Sequence, residues 1–238
     1  MTHPVIPAMR IGAIVQARMG SGRLPGKSLR SIAGQPMLQY VLDRLQRCPD
    51  VDRIVVATST APCDDALAGY CEDRGIACVR GSEHDVASRF MSALEREPLD
   101  AFVRVCGDRP LLDQALVSRA VGLYRAGDHD LVTNVWPATF PPGQTVEVVR
   151  TATFLAAIAG MNAADREHVT PLFYRDHHLF RIQNFVAAAD YSGVRLVVDT
   201  EADAQVIEGI VARMQRDHWT YSLDEIVDLY RAHLVTPA

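Results

Sequence analysis

Short apolar runs alternate with stretches of helical periodicity through the first half of the chain. Residues 11–15 (IGAIV) read as a buried strand, because a continuous apolar run bounded by turn residues suits a strand covered on both faces. Residues 36–48 place apolar side chains at 37, 38, 41, 42 and 45, which is helix spacing, with Pro36 at a tolerated first-turn position. A β-branched run at 53–58 predicts a second strand. A helix to about residue 74 follows, with Asp64 and Asp65 in its first turn, where negative charge suits the N-terminal dipole. Strands at 76–79 and 101–105 and helices at 85–95 and 114–125 continue the alternation. Strand and helix therefore alternate four times, which predicts an α/β fold with a parallel sheet covered on both faces.

The second half is less regular. Strands are predicted at 130–134, 145–149, 180–185 and 194–198, and helices at 154–160, 166–176, 202–217 and 223–234. A proline-rich loop, WPATFPPGQ, fills 136–144. No composition shift or repeat marks a boundary, so residues 9–238 are expected to form one domain. Residues 134–185 are expected to form a small appended lobe facing an acceptor or a second copy in a homodimer.

Composition narrows the function. The net charge of −5 over 238 residues argues against sequence-independent nucleic-acid binding. No apolar run approaches the roughly 20 residues of a membrane span, and the first nine residues lack the charged start and apolar core of a signal peptide. Five cysteines without a CxxC pair read as small buried hydrophobes in a reducing cytoplasm. Their spacing does not suit zinc.

The chemistry concentrates after the first strand. Gly20, Gly22, Pro25 and Gly26 alternate there with Arg18, Ser21, Arg23 and Lys27. Glycines let backbone N–H groups approach an anion, and three cations make a triphosphate the natural guest. The loop matches neither G-x-x-x-x-G-K-[ST] nor G-x-G-x-x-G. On composition a solvated basic turn is an equal reading; the position at a strand's carboxyl end, where open α/β sheets bind ligands, favours the anion site. No G-x-S-x-G elbow accompanies Ser21.

Asp108 (in GDRP) and Asp199 (in VDT) stand at the ends of two other predicted strands. Each alone has an ordinary alternative, a turn for Asp108 and a helix cap for Asp199. Converging on the loop, the pair would suit magnesium, which takes one or two carboxylates and completes its shell with phosphate and water. Glu147 lies in an apolar strand, so it needs either a cation or substrate hydroxyls as partner. Arg166, Glu167 and His168 form a polar cluster that packing or surface exposure would equally explain. Arg80–Gly81–Ser82–Glu83, at a strand end, is either a nucleobase contact or a surface turn.

These residues together resemble the nucleotide-sugar cytidylyltransferases, most of all the branch named for spore-coat polysaccharide biosynthesis protein F, related to acylneuraminate and 3-deoxy-manno-octulosonate cytidylyltransferases. The matching pieces are IVQARMGSGRLPGKSL (14–29), VVATST (55–60), RGSEHDV (80–86), GDRPLLD (107–113), REHVTP (166–171) and VDTEAD (198–203). The resemblance implies a GT-A-like fold with a mostly parallel mixed sheet flanked by helices. It implies transfer of CMP from CTP to a sugar acid for surface polysaccharide, with Mg2+ as cofactor. It implies a triphosphate on Arg18, Gly20, Ser21, Arg23 and Lys27, metal on Asp108 and Asp199, base contacts at Ala17 and Ser82, and acceptor contacts at Glu147, Arg166 and His168. Arg18, Lys27 and Asp108 are then the catalytic residues. GTP or UTP in place of CTP, or a non-catalytic nucleotide- or sugar-binding relative, are the alternatives. Four positions depart from the family pattern toward the acceptor or metal pocket: Arg109 within GDRPLLD and Gln114 just after it, and Pro142 and Thr145 in FPPGQTVE, where two carboxylates are lost.

Overall fold

The computed structural model describes residues 9–235, so the expectation for the first nine residues lies, Met9 apart, outside the described residues. β1 (Ile11–Gln16) is buried along its length except for half-buried Gln16, as a strand covered on both faces must be. A small antiparallel clip, β2 (Ser31–Ile32) and β3 (Gln35–Pro36), leads into α1 (Met37–Gln46). The alternation then runs β4 (Arg53–Ser59), α2 (Asp65–Asp73), β5 (Ala77–Gly81), α3 (Val86–Arg96), β6 (Ala101–Cys106) and α4 (Gln114–Ala126). The remainder comprises β7 (Leu131–Thr133), β8 (Glu147–Arg150), α5 (Thr151–Ala157), α6 (Ala163–His168), α7 (Pro171–Arg175), β9 (Ile182–Asn184), α8 (Glu201–Val211) and α9 (Leu223–Val235).

Seven strands form one sheet in the order β5-β4-β1-β6-β8-β7-β9. β5, β4, β1 and β6 are mutually parallel, β8 runs antiparallel between β6 and β7, and β9 is parallel to β7. One core packs α1, α4, α8 and α9 on one face of the sheet; a second packs α3 and α5–α7 on the other. The expected mostly parallel mixed sheet between helices is what the chain builds. Because β1 pairs Gln16 with both Ala57 of β4 and Cys106 of β6, the carboxyl ends of the parallel strands open on one side.

Residues 134–185 contribute β8 and β9 to the central sheet and pack α5–α7 against the face that carries α3. Three stretches differ from expectation. The expected helix 166–176 is two helices, broken where Val169 takes φ 73° and Pro171, which has no N–H to donate, opens α7. Residues 194–198 are extended but join no sheet: the N–H groups of Leu196 and Val198 donate to the carbonyls of Pro142 and Asp108, which lie in loops. The helix expected over 202–217 ends at Val211, after the buried series Ala204, Ile207 and Ile210.

Candidate active site

Residues 17–29 wrap over the carboxyl end of β1. The carbonyl of Met19 accepts from the N–H of Ser21 and of Gly26, and the Ser28 hydroxyl donates to the carbonyl of Arg18 at 2.9 Å. Gly26 closes this coil at φ 76°, a left-handed conformation that a side chain would strain. The N–H groups of Gly20, Gly22 and Arg23 find no acceptor among the described residues, so the loop keeps backbone donors for an anion.

An unforeseen residue fastens the loop. Asp64 is 1% exposed, and its carboxylate accepts from the Met19 N–H at 2.6 Å and from the N–H and hydroxyl of Ser59 at the end of β4. Burial alone would raise its pKa, but the hydrogen bonds from Ser59 and Met19 hold it below the usual carboxylate range. Sequence reading assigned Asp64 to a helix dipole; the side chain turns instead to the loop.

Lys27 is the centre of the site. Its ammonium lies 2.8 Å from Asp108 Oδ2, 3.1 Å from Asp199 Oδ1 and 2.8 Å from the carbonyl of Val198. Asp199 Oδ2 also meets Arg23 at 3.1 Å and Arg195 at 2.8 Å. Partial burial would raise the Asp199 pKa, but Lys27, with Arg23 and Arg195, depresses it. Asp199 is not a helix cap: Thr200 takes that role at α8, in a capping box with Asp203. Both expected metal residues therefore converge on one cation. Hard oxygens shared around one positive charge fit an ion that combines one or two carboxylates with phosphate oxygens and water. No third His, Cys, Asp or Glu completes a metal cluster among the described residues, so a protein-only cage is not the fit.

A cavity of about 420 Å³ lies over this centre, within the range of small-molecule sites. Of the expected site residues, Ala17, Arg18, Ser21, Arg23, Lys27, Asp108, His168 and Asp199 line it. Gly20 belongs to the loop but not to the lining. Ser82 also lies off the lining; its hydroxyl accepts from the Asp85 N–H. Arg166 is held at 2.7 Å by Asp85, the N-cap of α3, and so braces α6 against α3.

Glu147 is 1% exposed and does not line the cavity. It stands directly opposite Arg104 in the β6–β8 ladder and accepts from its guanidinium at 2.7 Å and from the Tyr174 hydroxyl. Burial alone would raise the Glu147 pKa, but the Arg104 charge and these hydrogen bonds lower it. Of its two expected partners, a cation is the one it has. Arg104 also donates from Nε to Gln16 Oε1 at 3.1 Å, and Gln16 does line the cavity.

The departures from the family pattern are structural in place. Arg109 donates to the carbonyl of Thr145 at 2.9 Å and so does not reach toward the metal residues. Gln114 bridges Arg44 and the carbonyl of Trp219. Pro142 receives Leu196 by backbone, within the extended segment that delivers Asp199.

Sequence reading missed Arg89. It sits on the buried stripe of α3 with Val86, Phe90 and Ala93, is 2% exposed and lines the cavity. Burial and the neighbouring Arg18 lower its pKa. An arginine inside an otherwise apolar i, i+3, i+4 stripe was the available signal.

Known proteins provide an independent comparison. The sequence model of a family described as cytidylyltransferase matches residues 12–236. The spore coat polysaccharide biosynthesis protein SpsF of Bacillus subtilis is 33% identical over 209 residues, 83% of this chain and 84% of that one. The 3-deoxy-manno-octulosonate cytidylyltransferase of Trichlorobacter lovleyi is 35% identical over 114 residues, 48% of this chain and 44% of that one. A solved cytidylyltransferase structure from Leptospira borgpetersenii superimposes with a TM-score of 0.87 at 28% identity, covering 96% of this chain and 95% of that one.

Proposed function

The chain belongs to the cytidylyltransferase family and is a nucleotidyltransferase, and from that premise we propose that it transfers CMP from CTP to a hydroxyl of a sugar acid, releasing pyrophosphate, with Mg2+ as cofactor. The observation that carries the reading is the placement of the Lys27 ammonium between Asp108 and Asp199, beneath a glycine loop bearing Arg18 and Arg23. The acceptor hydroxyl attacks the α-phosphorus in line with the departing pyrophosphate. Arg18, Arg23 and Lys27 offset the charge that builds on the phosphate oxygens, while the backbone donors of the loop hold them in register. Bound at Asp108 and Asp199, magnesium would neutralise phosphate charge and lower the pKa of the acceptor hydroxyl. Glu167 and His168, on the α6 side of the cavity, face the acceptor. Arg166 acts by holding α6 to α3 through Asp85. An activated sugar for surface polysaccharide is the expected product. The cytoplasm, where the free cysteines stay reduced, is the compartment.

The test is pyrophosphate release by the purified protein, given each of four nucleoside triphosphates with magnesium and a panel of sugar acids. CTP should be consumed in an acceptor-dependent way, and Asp108→Ala should lose at least about a hundredfold in turnover. Preference for UTP or GTP would replace the base in this reading, and no consumption of any triphosphate would overturn it.

A further inference from the structure

Gln16 closes β1 with its backbone pinned between two strands. It stands opposite Ala57 of β4 and Cys106 of β6, and its carbonyl accepts from the Gly107 N–H at 2.9 Å. Its side-chain oxygen accepts from Arg104 Nε at 3.1 Å. A guanidinium carries donors only, so the amide has one possible orientation, with Oε1 on Arg104 and Nε2 turned away from it. The described residues provide no acceptor for that Nε2, and Gln16 lines the cavity. Its amide is therefore a donor left over at the cavity floor, on the β6 side.

Behind Gln16 stands a buried network centred on Glu147. That carboxylate accepts from Arg104 at 2.7 Å and from the hydroxyls of Tyr174 and Thr170. Thr170 is 3% exposed and follows Val169, which has φ 73° and ψ −47°. With the Thr170 N–H donating to the His168 carbonyl at 2.9 Å, these angles make a γ-turn. A β-branched residue is strained there, and such strain persists only where the surroundings fix it. The turn directly follows Glu167 and His168, both on the cavity wall. One buried carboxylate thus ties the Gln16 amide on one side and the end of α6 on the other. An apolar cluster would serve the sheet as well as a buried ion pair does, but it could not aim an amide.

From this geometry we propose that the Gln16 amide holds the carboxylate of the acceptor, and that Arg104 and Glu147 are positioning residues that aim it. A sugar acid offers hydroxyls, which donate and accept, and a carboxylate, which only accepts. The Glu167 carboxylate also only accepts, so it suits the hydroxyls and repels the acid group. Arg18, Arg23 and Lys27 are engaged by the phosphates in the transfer reading. Because Glu147 balances the charge of Arg104, what reaches the cavity at Gln16 is an oriented dipole, polarised by the guanidinium at its far end. A neutral donor takes a carboxylate there without competing for the triphosphate. This inference rests on the nucleotidyl-transfer reading above and adds how the acceptor is held. Glu147 then serves the acceptor without touching it.

The experiment measures pyrophosphate release with CTP and magnesium, resolving kcat, the KM of CTP and the KM of the acceptor, together with melting temperatures. The probe acceptor is 3-deoxy-manno-octulosonate, run beside the other sugar acids of the panel. The proteins are wild type, Gln16→Leu, Gln16→Glu and the double variant Arg104→Met with Glu147→Gln. Gln16→Leu should raise the acceptor KM about tenfold, the order of one hydrogen bond to a charged group, with kcat and the KM of CTP within about threefold. Gln16→Glu keeps an oxygen on Arg104 and so should melt no lower than wild type, yet it should raise the acceptor KM at least as much. The double variant should melt close to wild type and raise the acceptor KM by the same factor. Adding Gln16→Leu to it should cost less than about a further twofold, since all three residues act through one contact. An ion pair that only holds the sheet would leave the acceptor KM of the double variant at the wild-type value, and that result overturns the proposal. So do fully additive effects, or a rise confined to the KM of CTP, and each of these leaves the transfer reading intact. Wild-type protein that consumes no CTP with any sugar acid would overturn that reading, and this one with it.

Discussion

Asp64→Asn isolates the fastening of the loop after β1 from the chemistry proposed above it. The substitution keeps volume and shape but replaces one carboxylate oxygen by an NH2 group. In the wild type the two oxygens divide three N–H and O–H donors, besides a weak thiol contact from Cys63: Oδ1 takes the Met19 N–H, and Oδ2 takes the N–H and hydroxyl of Ser59. Whichever way the amide turns, its NH2 faces a backbone N–H. One buried donor is therefore left without an acceptor, a loss of about 1–3 kcal/mol, and the other bonds lose their charge assistance. A total of about 3 kcal/mol, at the 2–4 °C per kcal/mol typical of a chain this size, lowers the melting temperature by roughly 6–12 °C.

The same carboxylate gives a pH signature with a fixed sign. Its folded pKa lies below the unfolded value, so its stabilisation is fully present above about pH 4 and fades as pH falls through the lower folded pKa. Wild-type stability should thus fall more steeply below pH 4 than that of Asp64→Asn. The assays are thermal melts from pH 3 to 7 and the KM for CTP. The latter should rise in the variant, because Met19 carries the carbonyl on which the loop is coiled. If Asp64→Asn melts with the wild type and keeps its KM, Asp64 does not anchor the loop.

Glu147→Gln should destabilise by about 3–5 kcal/mol in chemical denaturation, because Arg104 is left buried without its counter-charge; adding Arg104→Met should recover most of the loss. Equal losses in the single and double variants would refute that pairing. Lys27→Met leaves Asp108 and Asp199 facing one another, so the ligand-free protein should melt lower, and magnesium should raise its melting temperature more than it raises that of wild type. A metal response no greater than wild type would mean that the ammonium and the ion do not share the carboxylates. Turnover of Lys27→Met should drop by at least about a hundredfold, since a charge on the leaving phosphates is lost.

What was legible in the sequence was what neighbours along the chain determine. The β-branched and apolar runs of β1, β4, β5 and β6 and the helix spacing of α1, α3 and α4 located those elements closely. The loop after β1 stood out because its glycines and cations are adjacent, and the chain does coil it back on the carbonyl of Met19. Partners brought together by topology were not readable. Nothing along the chain says that Arg104 and Glu147, 43 residues apart, face each other across a ladder, so the sequence left a cation and substrate hydroxyls equally open as the partner of Glu147. Asp64 and Met19 meet only because β4 lies beside β1. The strand expected at 194–198 failed for a related reason: its apolar residues pack, but its backbone partners are loop carbonyls at Pro142 and Asp108.

That extended segment also explains why the departures from the family pattern cluster where they do. Asp199 reaches Lys27 only if residues 194–198 are held beside the end of β6, and the Val198 N–H is held there by the carbonyl of Asp108. A few residues earlier, Leu196 is held by Pro142, and an added Cβ at Gly143 would lie 2.4 Å from the Leu196 carbonyl carbon. Arg109, next to Asp108, is tied to Thr145 in the same loop. The altered residues thus link the two carboxylate-bearing segments to one another instead of contributing charge to the cavity. In this chain the loss of acidic residues at Pro142 and Thr145 falls on the scaffold of the Asp108–Asp199 pair, and the pair itself, with the Lys27 ammonium between its members, is intact.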